Sequence, residues 1–329
     1  MKICIINNLY PPHARGGAEQ VVYRTVQGLL EAGHEVVVIT TDPNGAYMWK
    51  DGKLTIYRFR PRNVFFYTEA HRHLWPLRLI WHLIDMFHIG AARWVSDILK
   101  KEKPDVVHTQ NLMGMSFLIP RAIRRLGIRH LHTVHDVQLV EPSGIILKQK
   151  ENSWRYSGLP TRAYMLVMRY LLGSPDVVIS PSQFLLNFYE KRDFFCDSER
   201  VVLRNPVTII SKLEIRNSKL DNSVRFLYLG QIEEHKGVLF LVRAFDKFAD
   251  KRARLTIAGG GSLLAQGVTH DSRGVRLTGG NELPSGRSLL LEQMPPNIHV
   301  IGKVDRSDLP ALFAETDVLI VPSLCYENS

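Results

Sequence analysis

The loop after the first apolar run of the sequence carries two adjacent glycines, Gly16 and Gly17. It connects the run KICIIN to a helical segment that begins near residue 18. In open α/β sheets ligands bind beyond the carboxyl ends of the strands, and glycines let the backbone approach an anion closely. The unpaired N–H groups and the positive dipole end of the following helix favour a phosphate here. A tight turn in which glycine serves only the backbone geometry is the alternative.

Lys236 and Gly237 form a second candidate phosphate site, within the sequence LYLGQIEEHKG. They stand at the start of a predicted helix, after a predicted strand that ends at Gly230, so that the Lys236 ammonium can meet a diphosphate. A solvated lysine at a helix start is the alternative. The dinucleotide fingerprint GxGxxG is missing, which counts against a dehydrogenase. The next predicted strand ends in three glycines, Gly259, Gly260 and Gly261.

Histidines are concentrated in the segment RHLHTVHD, residues 129–136. His130 and His132 alternate onto one face of a predicted strand and His135 follows it, which raises a metal site as a hypothesis. No clear set of ligands accompanies them, so we expect no metal, and the alternative is histidines with a structural role. His135 and Asp136 lie just after the strand, at the end where ligands bind.

Short β-branched runs alternate with helical segments along the chain, as expected when both faces of a parallel sheet are buried. The pattern predicts an α/β protein made of two Rossmann-like, doubly wound domains that meet near Pro206, with residues 1–205 in the first and 206–329 in the second. The strand runs are KICIIN, EVVVIT, DVVHT, RHLHTV, DVVIS and RVVLR in the first series and VRFLYLG, RLTIAG, IHVIG and DVLIVP in the second.

The composition narrows the class of protein and its partners. The 329 residues carry a formal net charge of +10, which favours anionic partners such as nucleotides, phospholipid surfaces or nucleic acid. No basic run with interleaved aromatic residues accompanies the charge, so we expect no nucleic-acid binding. The three cysteines have no CxxC spacing, and no apolar stretch reaches the ~18 residues of a membrane span. We expect a cytoplasmic protein, soluble or peripheral at the inner face of the membrane.

Three stretches depart from the simple alternation. Residues 43–75 and 262–296 read as long and irregular, as insertions near a ligand site or surface loops do. Residues 77–101 read as helical, with Trp81, Phe87 and Trp94 and a basic end. Contact with a membrane surface is one interpretation of that stretch. We favour the other, packing in the core, because aromatic side chains at helical spacing usually face the interior.

Taken together and in order, PPHARGGAEQ, TVHD, SPSQF, HKG and VPSLCYE resemble the motifs of the retaining glycosyltransferases of family 4. The resemblance covers essentially the whole chain. It implies the GT-B fold, in which an acceptor-side domain and a nucleotide-sugar-binding domain, both Rossmann-like, face a cleft. It also implies transfer of a sugar from a nucleotide diphosphate to an acceptor hydroxyl, without a bound metal or other cofactor.

The resemblance also implies a role for each matching residue. The Gly16-Gly17 loop packs against the donor diphosphate, and His135 hydrogen-bonds a sugar hydroxyl or the charge that develops in the transition state. Lys236 binds the diphosphate, while Gln231 stands where the family often has Arg, so that donor binding rests more heavily on Lys236. The remaining residues implied in donor binding are Gly230, Gly259, Gly260, Lys303 and Val304, of which the last two belong to the loop that reads the base.

Glu327 matches the first glutamate of a family pair separated by seven residues. In relatives this first glutamate lies near the transferred sugar. The second glutamate would fall beyond Ser329. The covering helices of the second sheet are missing as well, and a sheet without them exposes apolar surface. We therefore expect an incomplete second domain and a chain that is a piece of a longer protein.

The function implied by the resemblance is a retaining glycosyltransferase, in the synthesis of cell-surface polysaccharide or glycolipid. Its expected partners are a nucleotide-diphosphate sugar, a glycan or lipid-linked acceptor and an anionic membrane. Two alternatives stay open from the sequence. A catalytically inactive nucleotide-sugar-binding protein of the same fold would bind nucleotide without turnover. A sugar-nucleotide epimerase would need a similar diphosphate site, but the order of motifs matches it less well.

Overall fold

The structure, a computed structural model, divides into two compact units of different size. The first contains Met1–Ile145 and Asn152–Val207, and the second contains Ile146–Glu151 and Thr208–Glu327. The segment Ile146–Glu151, which lies inside the predicted first domain, therefore groups with the second unit. The residues described are 1–13, 16–206, 223–248, 250, 252–261, 263, 268–269, 276–277, 295–305 and 307–326.

The first unit is built on one eight-stranded sheet in the order β3-β4-β2-β1-β5-β6-β7-β8. Neighbouring strands are parallel except for the antiparallel pair β3 and β4. The chain starts in the middle of the sheet and builds outward on both sides, which is the doubly wound arrangement. The strands are β1 (Lys2–Ile6), β2 (Glu35–Thr41), β3 (Tyr47–Asp51), β4 (Leu54–Phe59), β5 (Val106–Thr109), β6 (Arg129–Thr133), β7 (Val177–Ser180) and β8 (Glu199–Val202).

Helices alternate with these strands, and the first shows why the chain folds this way. In α1, Val22 and Val26 lie one turn apart and are fully buried against Ile5 of β1. Gly33 follows the helix with φ +86, a left-handed conformation that glycine adopts without steric cost. The helices are α1 (Gly17–Glu31), α2 (Trp75–Met86), α3 (Ile89–Glu102), α4 (Ile119–Leu126), α5 (Trp154–Ser157), α6 (Leu159–Leu172) and α7 (Gln183–Glu190), with a 3-10 helix at Tyr67–Arg72.

The second unit contains a parallel sheet in the order β13-β10-β9-β14. Its core joins Leu255 and Ile257 of the central strand to Val238, Leu241 and Phe245 of the first helix of the unit. The elements are β9 (Val224–Leu229), α8 (Val238–Asp246), β10 (Ala253–Ala258), β11 (Val268–Thr269), β12 (Arg276–Leu277), β13 (Ile298–Gly302), α9 (Leu309–Ala314) and β14 (Val318–Leu319), with 3-10 helices at Lys148–Lys150 and Glu234–Lys236. Among the helices that the structure describes, none combines the length and the apolar character needed to cross a membrane.

The prediction of irregular structure for residues 43–75 is wrong, because the stretch contains a hairpin. Strands β3 and β4 pair in antiparallel fashion, with Asp51 opposite Leu54, so Gly52 and Lys53 form a two-residue loop in which Gly52 has φ +53. Glycine at the first position of a two-residue loop is a hairpin signal. Every residue of β3 is exposed, so neither face of this strand has to be apolar. Its sequence therefore lacks the alternation of apolar and polar residues that marks a half-buried strand. Most of the other irregular stretch, 262–296, lies outside the described residues.

The helical stretch 77–101 divides into α2 and α3, which separate at Phe87 and His88. The His88 side chain accepts a hydrogen bond from the N–H of Ala91 and so caps α3. The prediction of core packing is correct for Trp81, which is 2% exposed, and wrong for Phe87, which is 47% exposed. Trp94 is half-buried and stacks on Phe59 with ring centroids 4.2 Å apart.

A cluster of histidines lies inside the first sheet, at β5 and β6. The Thr109 hydroxyl lies 2.7 Å from Nε2 of His130 and 2.9 Å from Nδ1 of His132, and Nε2 of His108 lies 2.7 Å from the Thr133 hydroxyl. Burial lowers the pKa of His108 to about 4 and that of His130 to about 3, and it lowers the pKa of His132 strongly as well. The three imidazoles are therefore neutral at pH 7.

Because the unfolded chain protonates these histidines near pH 6.5 and the folded chain resists it, acid destabilises the first unit. We expect His130→Gln to remove one such group. The unfolding free energy of the wild type relative to the variant should fall by about 1.4 kcal/mol per pH unit between about pH 6 and pH 4. All five tryptophans lie in the first unit, so urea unfolding followed by their fluorescence measures it. The difference should be constant above pH 7; a difference equally constant down to pH 5 would contradict the prediction.

Candidate functional site

The loops that follow β1 and β5 are joined at the carboxyl edge of the first sheet. The N–H of Asn8 donates to the carbonyl of Asn111 at 2.8 Å, and the N–H of Asn111 donates to Oδ1 of Asn7 at 2.9 Å. Asn7 and Asn8 are almost fully buried. Parallel strands place all their carboxyl ends on one edge, so these amides hold the loops in a fixed arrangement.

Gly16 and Gly17 stand at the start of α1 on this edge. Gly16 is extended, with φ −150 and ψ −161, and its N–H donates to Oε2 of Glu19 at 2.8 Å. A Cβ at Gly17 would meet no heavy atom of the protein within 4 Å, and one at Gly16 would meet only Oε2 of Glu19, at 3.6 Å. Neither backbone conformation nor neighbouring protein atoms require glycine here, which disfavours the tight-turn alternative.

His135 lies directly after β6 and is held by Gln110, which follows β5. Nε2 of His135 and Oε1 of Gln110 are 2.7 Å apart, so the ring N–H donates to the amide oxygen. Burial lowers the pKa of His135 to about 4, and the ring is neutral at pH 7. Gln110 is 3% exposed, and its Nε2 has no hydrogen-bond partner among the described residues. Both side chains line one cavity, and they offer hydrogen bonds without charge.

Asp136 lines the same cavity and stabilises the loop around His135. Its Oδ1 accepts from the N–H of Gln138 at 2.8 Å, while burial raises the pKa of its carboxyl to about 6. The Tyr189 hydroxyl donates to the Asp136 carbonyl at 2.6 Å. The loop is thus tied to α7, and His135 keeps one position relative to the sheet.

The histidines of the metal hypothesis do not converge on one point. His130 and His132 both contact the Thr109 hydroxyl, whereas His135 contacts Gln110. Within the described residues, no group of three or more His, Cys, Asp or Glu side chains is arranged to hold a metal ion. Catalysis without a metal stays a prediction.

In the second unit, Gly230 and Gly259 pack backbone against backbone at the ends of β9 and β10. Gly259 has φ +147, and a Cβ on it would lie 1.7 Å from the Gly230 carbonyl oxygen. The N–H of Gly230 donates to Ala258, and the N–H of Gly259 donates to the carbonyl of Gly302 at 2.7 Å. The structure therefore brings two of the predicted glycine positions, Gly230 and Gly259, together with Gly302, and only glycine fits at Gly259 where the two loops touch.

Lys236 ends the 3-10 helix before α8, on the same edge of the second sheet. Gly237 follows with φ +75, and a Cβ on it would lie 2.0 Å from the Pro322 carbonyl oxygen. This close contact sets where the helix begins and hence where Lys236 lies. Gln231 is exposed, and its carbonyl accepts from the Tyr228 hydroxyl at 2.5 Å.

The other predicted residues of the second unit lie on this edge or outside the described part. Lys303 is exposed and Val304 half-buried, just after β13. A Cβ at Gly260 would meet no heavy atom within 4 Å. Glu327 lies outside the described residues, so its predicted position is not tested.

The chain just before Glu327 is held by a segment that sequence analysis missed. Leu147 forms an antiparallel bridge with Cys325, and the N–H of Lys148 donates to Leu324 at 3.1 Å. The Tyr326 hydroxyl donates to the Glu151 carboxylate. The segment Ile146–Glu151 thus belongs to the second unit, although Glu151 and Tyr326 are 175 residues apart in sequence. No pattern in the sequence predicts this pairing.

The sequence matches two glycosyltransferase families in succession. Residues 15–209 match Glycosyltransferase Family 4, and residues 223–329 match Glycosyl transferases group 1. The first match spans more than half of the chain. The chain belongs to Glycosyltransferase Family 4. This family 4 chain is 26% identical over 251 residues to an uncharacterized 42.6 kDa protein in the cps region of Klebsiella pneumoniae. The match covers 75% of the chain. It spans 64% of that protein's length, just under two thirds.

Solved structures agree with the family assignment at the level of the fold. The family 4 chain matches an E. coli structure described as "Trehalose-6-phosphate from E. coli bound with UDP-2-fluoro glucose" with a TM-score of 0.58 at 14% identity, over 98% of the chain and 78% of that one. It matches Anabaena HepE in complex with UDP with a TM-score of 0.56 at 14% identity, over 98% and 74%. The predicted GT-B fold class, with Rossmann-like units, is confirmed.

The close approach of Gly259 to Gly230 generates a prediction with a matched control. Gly259→Ala places a Cβ against the Gly230 carbonyl in a backbone region that L-residues avoid, so we expect the second unit to lose about 3 kcal/mol of stability. Gly260→Ala adds the same atom in open space and should change stability by no more than about 0.5 kcal/mol. Calorimetric unfolding measures both variants, and tryptophan fluorescence should show an unaltered first unit. Equal stability of the two variants would contradict this packing.

Proposed function

We propose that the protein is a retaining glycosyltransferase that moves a sugar from a nucleotide diphosphate to an acceptor hydroxyl. One observation carries the donor part of this proposal. The loops of Gly230, Gly259 and Gly302 and the lysine Lys236 stand together at the carboxyl edge of the parallel sheet in the second unit. That edge is where open α/β sheets bind nucleotides, and a lysine just before the N-terminus of α8 suits a diphosphate.

Features of the first unit support a role in handling the sugar and the acceptor. His135 is neutral and oriented by Gln110, whose Nε2 adds a donor without a partner among the described residues. Neutral donors and acceptors recognise hydroxyl groups without competing for the diphosphate charge. The open space beside Gly16 and Gly17 leaves room for a phosphate at the start of α1.

The proposed chemistry needs no protein nucleophile. As the bond between the anomeric carbon and the diphosphate oxygen breaks, Lys236 stabilises the charge on the departing diphosphate. The acceptor oxygen attacks from the same face, and its proton passes to an oxygen of the leaving phosphate. The anomeric configuration is thereby retained. His135 positions the sugar by a hydrogen bond with one of its hydroxyl groups. Transfer without a bound metal belongs to the same proposal.

We further propose that the reaction serves the synthesis of a cell-surface polysaccharide or glycolipid, at the inner face of the membrane. The Klebsiella pneumoniae relative, a protein in a cps region, supports this setting. The net charge of +10 favours contact with an anionic membrane that carries a lipid-linked acceptor.

Calorimetric titration of UDP, GDP and ADP into the full chain tests the donor site. We expect one nucleotide to bind selectively, and Lys236→Ala to weaken it about tenfold or more, because a charge-assisted contact to the diphosphate is lost. Lys247→Ala removes an exposed lysine at the end of α8 and should leave the affinity unchanged. If none of the three nucleotides binds, or if the two variants behave alike, the proposed donor site is wrong.

The role of His135 is tested by turnover. The substrate is the nucleotide sugar that contains the nucleotide found to bind. Release of the nucleoside diphosphate should slow about a hundredfold in His135→Ala, whereas the affinity for the nucleotide itself should be unchanged. NMR of the sugar product should show the anomeric configuration of the donor, and chelation of divalent ions should not slow the reaction. An inverted product would refute retention, and a full rate in His135→Ala would remove this residue from the mechanism.

A further inference from the structure

Helix α2 contacts the first unit through one narrow stripe. Trp81 is 2% exposed, and its Nε1–H donates to the Phe65 carbonyl at 2.8 Å. Asp85, one turn later, is also 2% exposed, and its Oδ2 accepts from the N–H of Gly114 at 2.9 Å. Because residues i and i+4 lie on one face of a helix, these two side chains define the face that points into the protein.

The face of α2 opposite to this stripe is apolar and exposed. Leu79 and Leu83 stand on the far side of the helix from Trp81, and Ile80 and Ile84 stand along one side of it. Leu79, Ile80, Leu83 and Ile84 have exposed fractions of 54%, 48%, 50% and 38%. An ordinary surface helix presents polar side chains on this face, so α2 has the reverse arrangement. The apolar surface continues at both ends of the helix, through Leu74, Trp75, Phe87 and Ile89, which are 47–76% exposed. A contiguous patch of this kind marks an interaction surface.

The exposed charged side chains in the segment that contains this surface have one sign. The arginines Arg60, Arg62, Arg72 and Arg78 are exposed. Between residues 60 and 93 the acidic residues are Glu69 and Asp85; Glu69 is half-buried and accepts from the N–H of Phe66, and Asp85 faces the interior. The backbone places Arg62 beside the apolar surface, because its carbonyl lies 2.8 Å from Nε2 of His88, the residue after Phe87.

We propose that the outer face of α2 is an interfacial surface that docks this enzyme on an anionic bilayer. The helix lies in the membrane plane, inserts its leucine and isoleucine side chains among the lipid chains and sets the arginines against the lipid phosphates. Apolar insertion and basic attraction are the two components that stable peripheral binding requires. The purpose of this docking, which is to bring the enzyme to a lipid-linked acceptor, rests on the proposed function.

A second copy of the chain fits this surface less well than a bilayer does. A symmetric dimer through α2 would repeat the same patch on both sides, so that the arginines around it would approach their own counterparts. Like charges at an interface oppose association. Lipid phosphates carry the complementary charge.

Sedimentation of the full chain with lipid vesicles tests the proposal. We expect binding to vesicles of phosphatidylcholine and phosphatidylglycerol, and weaker binding to phosphatidylcholine alone. The double variant Leu79→Gln with Leu83→Gln should bind the anionic vesicles at least about tenfold more weakly, because two apolar side chains no longer insert. Arg72→Gln with Arg78→Gln should lose about fivefold in affinity per arginine on anionic vesicles and little on neutral ones.

The matched control is Leu159→Gln with Leu166→Gln on α6, two leucines that are 78% and 56% exposed. The control should bind vesicles as the wild type does. The inference is overturned if the wild type does not bind, if the control loses as much as the α2 variant, or if the α2 variant only dissociates a dimer in sedimentation velocity. All these side chains are exposed, so far-UV circular dichroism should show every variant folded.

Vesicle binding needs neither donor nor turnover, so its outcome is separate from the proposed function. A chain that binds nucleotide but no vesicles keeps the transferase proposal and loses the docking surface. A chain that binds vesicles through α2 but no nucleotide does the reverse.

Discussion

The parallel pairing of strands buried on both faces is the constraint on which the rest of the structure depends. In the first unit, β1 lies between β2 and β5, and its side chains from Cys4 to Ile6 are fully buried. Polar side chains along such a sheet pair with one another, as the histidines and threonines of β5 and β6 do, and the polar groups that can meet a ligand lie where the strands end. Asn7 and Asn8 after β1, Gln110 after β5 and His135 after β6 are the result, and in the second unit the glycine loops occupy the equivalent edge.

Burial then determines which of these groups carry charge. The imidazoles at β5 and β6 are neutral because the interior disfavours their protonated forms, and the same effect keeps His135 neutral beside Gln110. Burial also disfavours the charged form of the Asp136 carboxyl, and the pKa of this group is therefore raised. Under the proposed function, the neutral groups of the first unit bind hydroxyl groups and Lys236 of the second unit binds the diphosphate, because these two parts of a nucleotide sugar require different partners.

Helix α2 shows how a fold can carry a surface that catalysis does not use. Trp81 and Asp85 are the side chains of α2 that are buried in the unit, and the apolar face opposite to them is left to solvent. The hydrophobic effect makes such a face costly for a protein that stays in water. In the proposed docking, a bilayer covers this face and lipid phosphates meet the arginines.

The sequence by itself determined the α/β class, most of the strands of both sheets and the glycine and lysine positions at their ends, because these depend on local periodicity and on what glycine and lysine can do. It missed the β3-β4 hairpin, whose exposed first strand lacks an alternating pattern. Only the tertiary structure decided that Gln110 orients His135, that Ile146–Glu151 holds the chain before Glu327, and that α2 turns an apolar face outward. Each of these depends on which distant segments become neighbours, and a repeat along one segment carries no information about the segment it will contact.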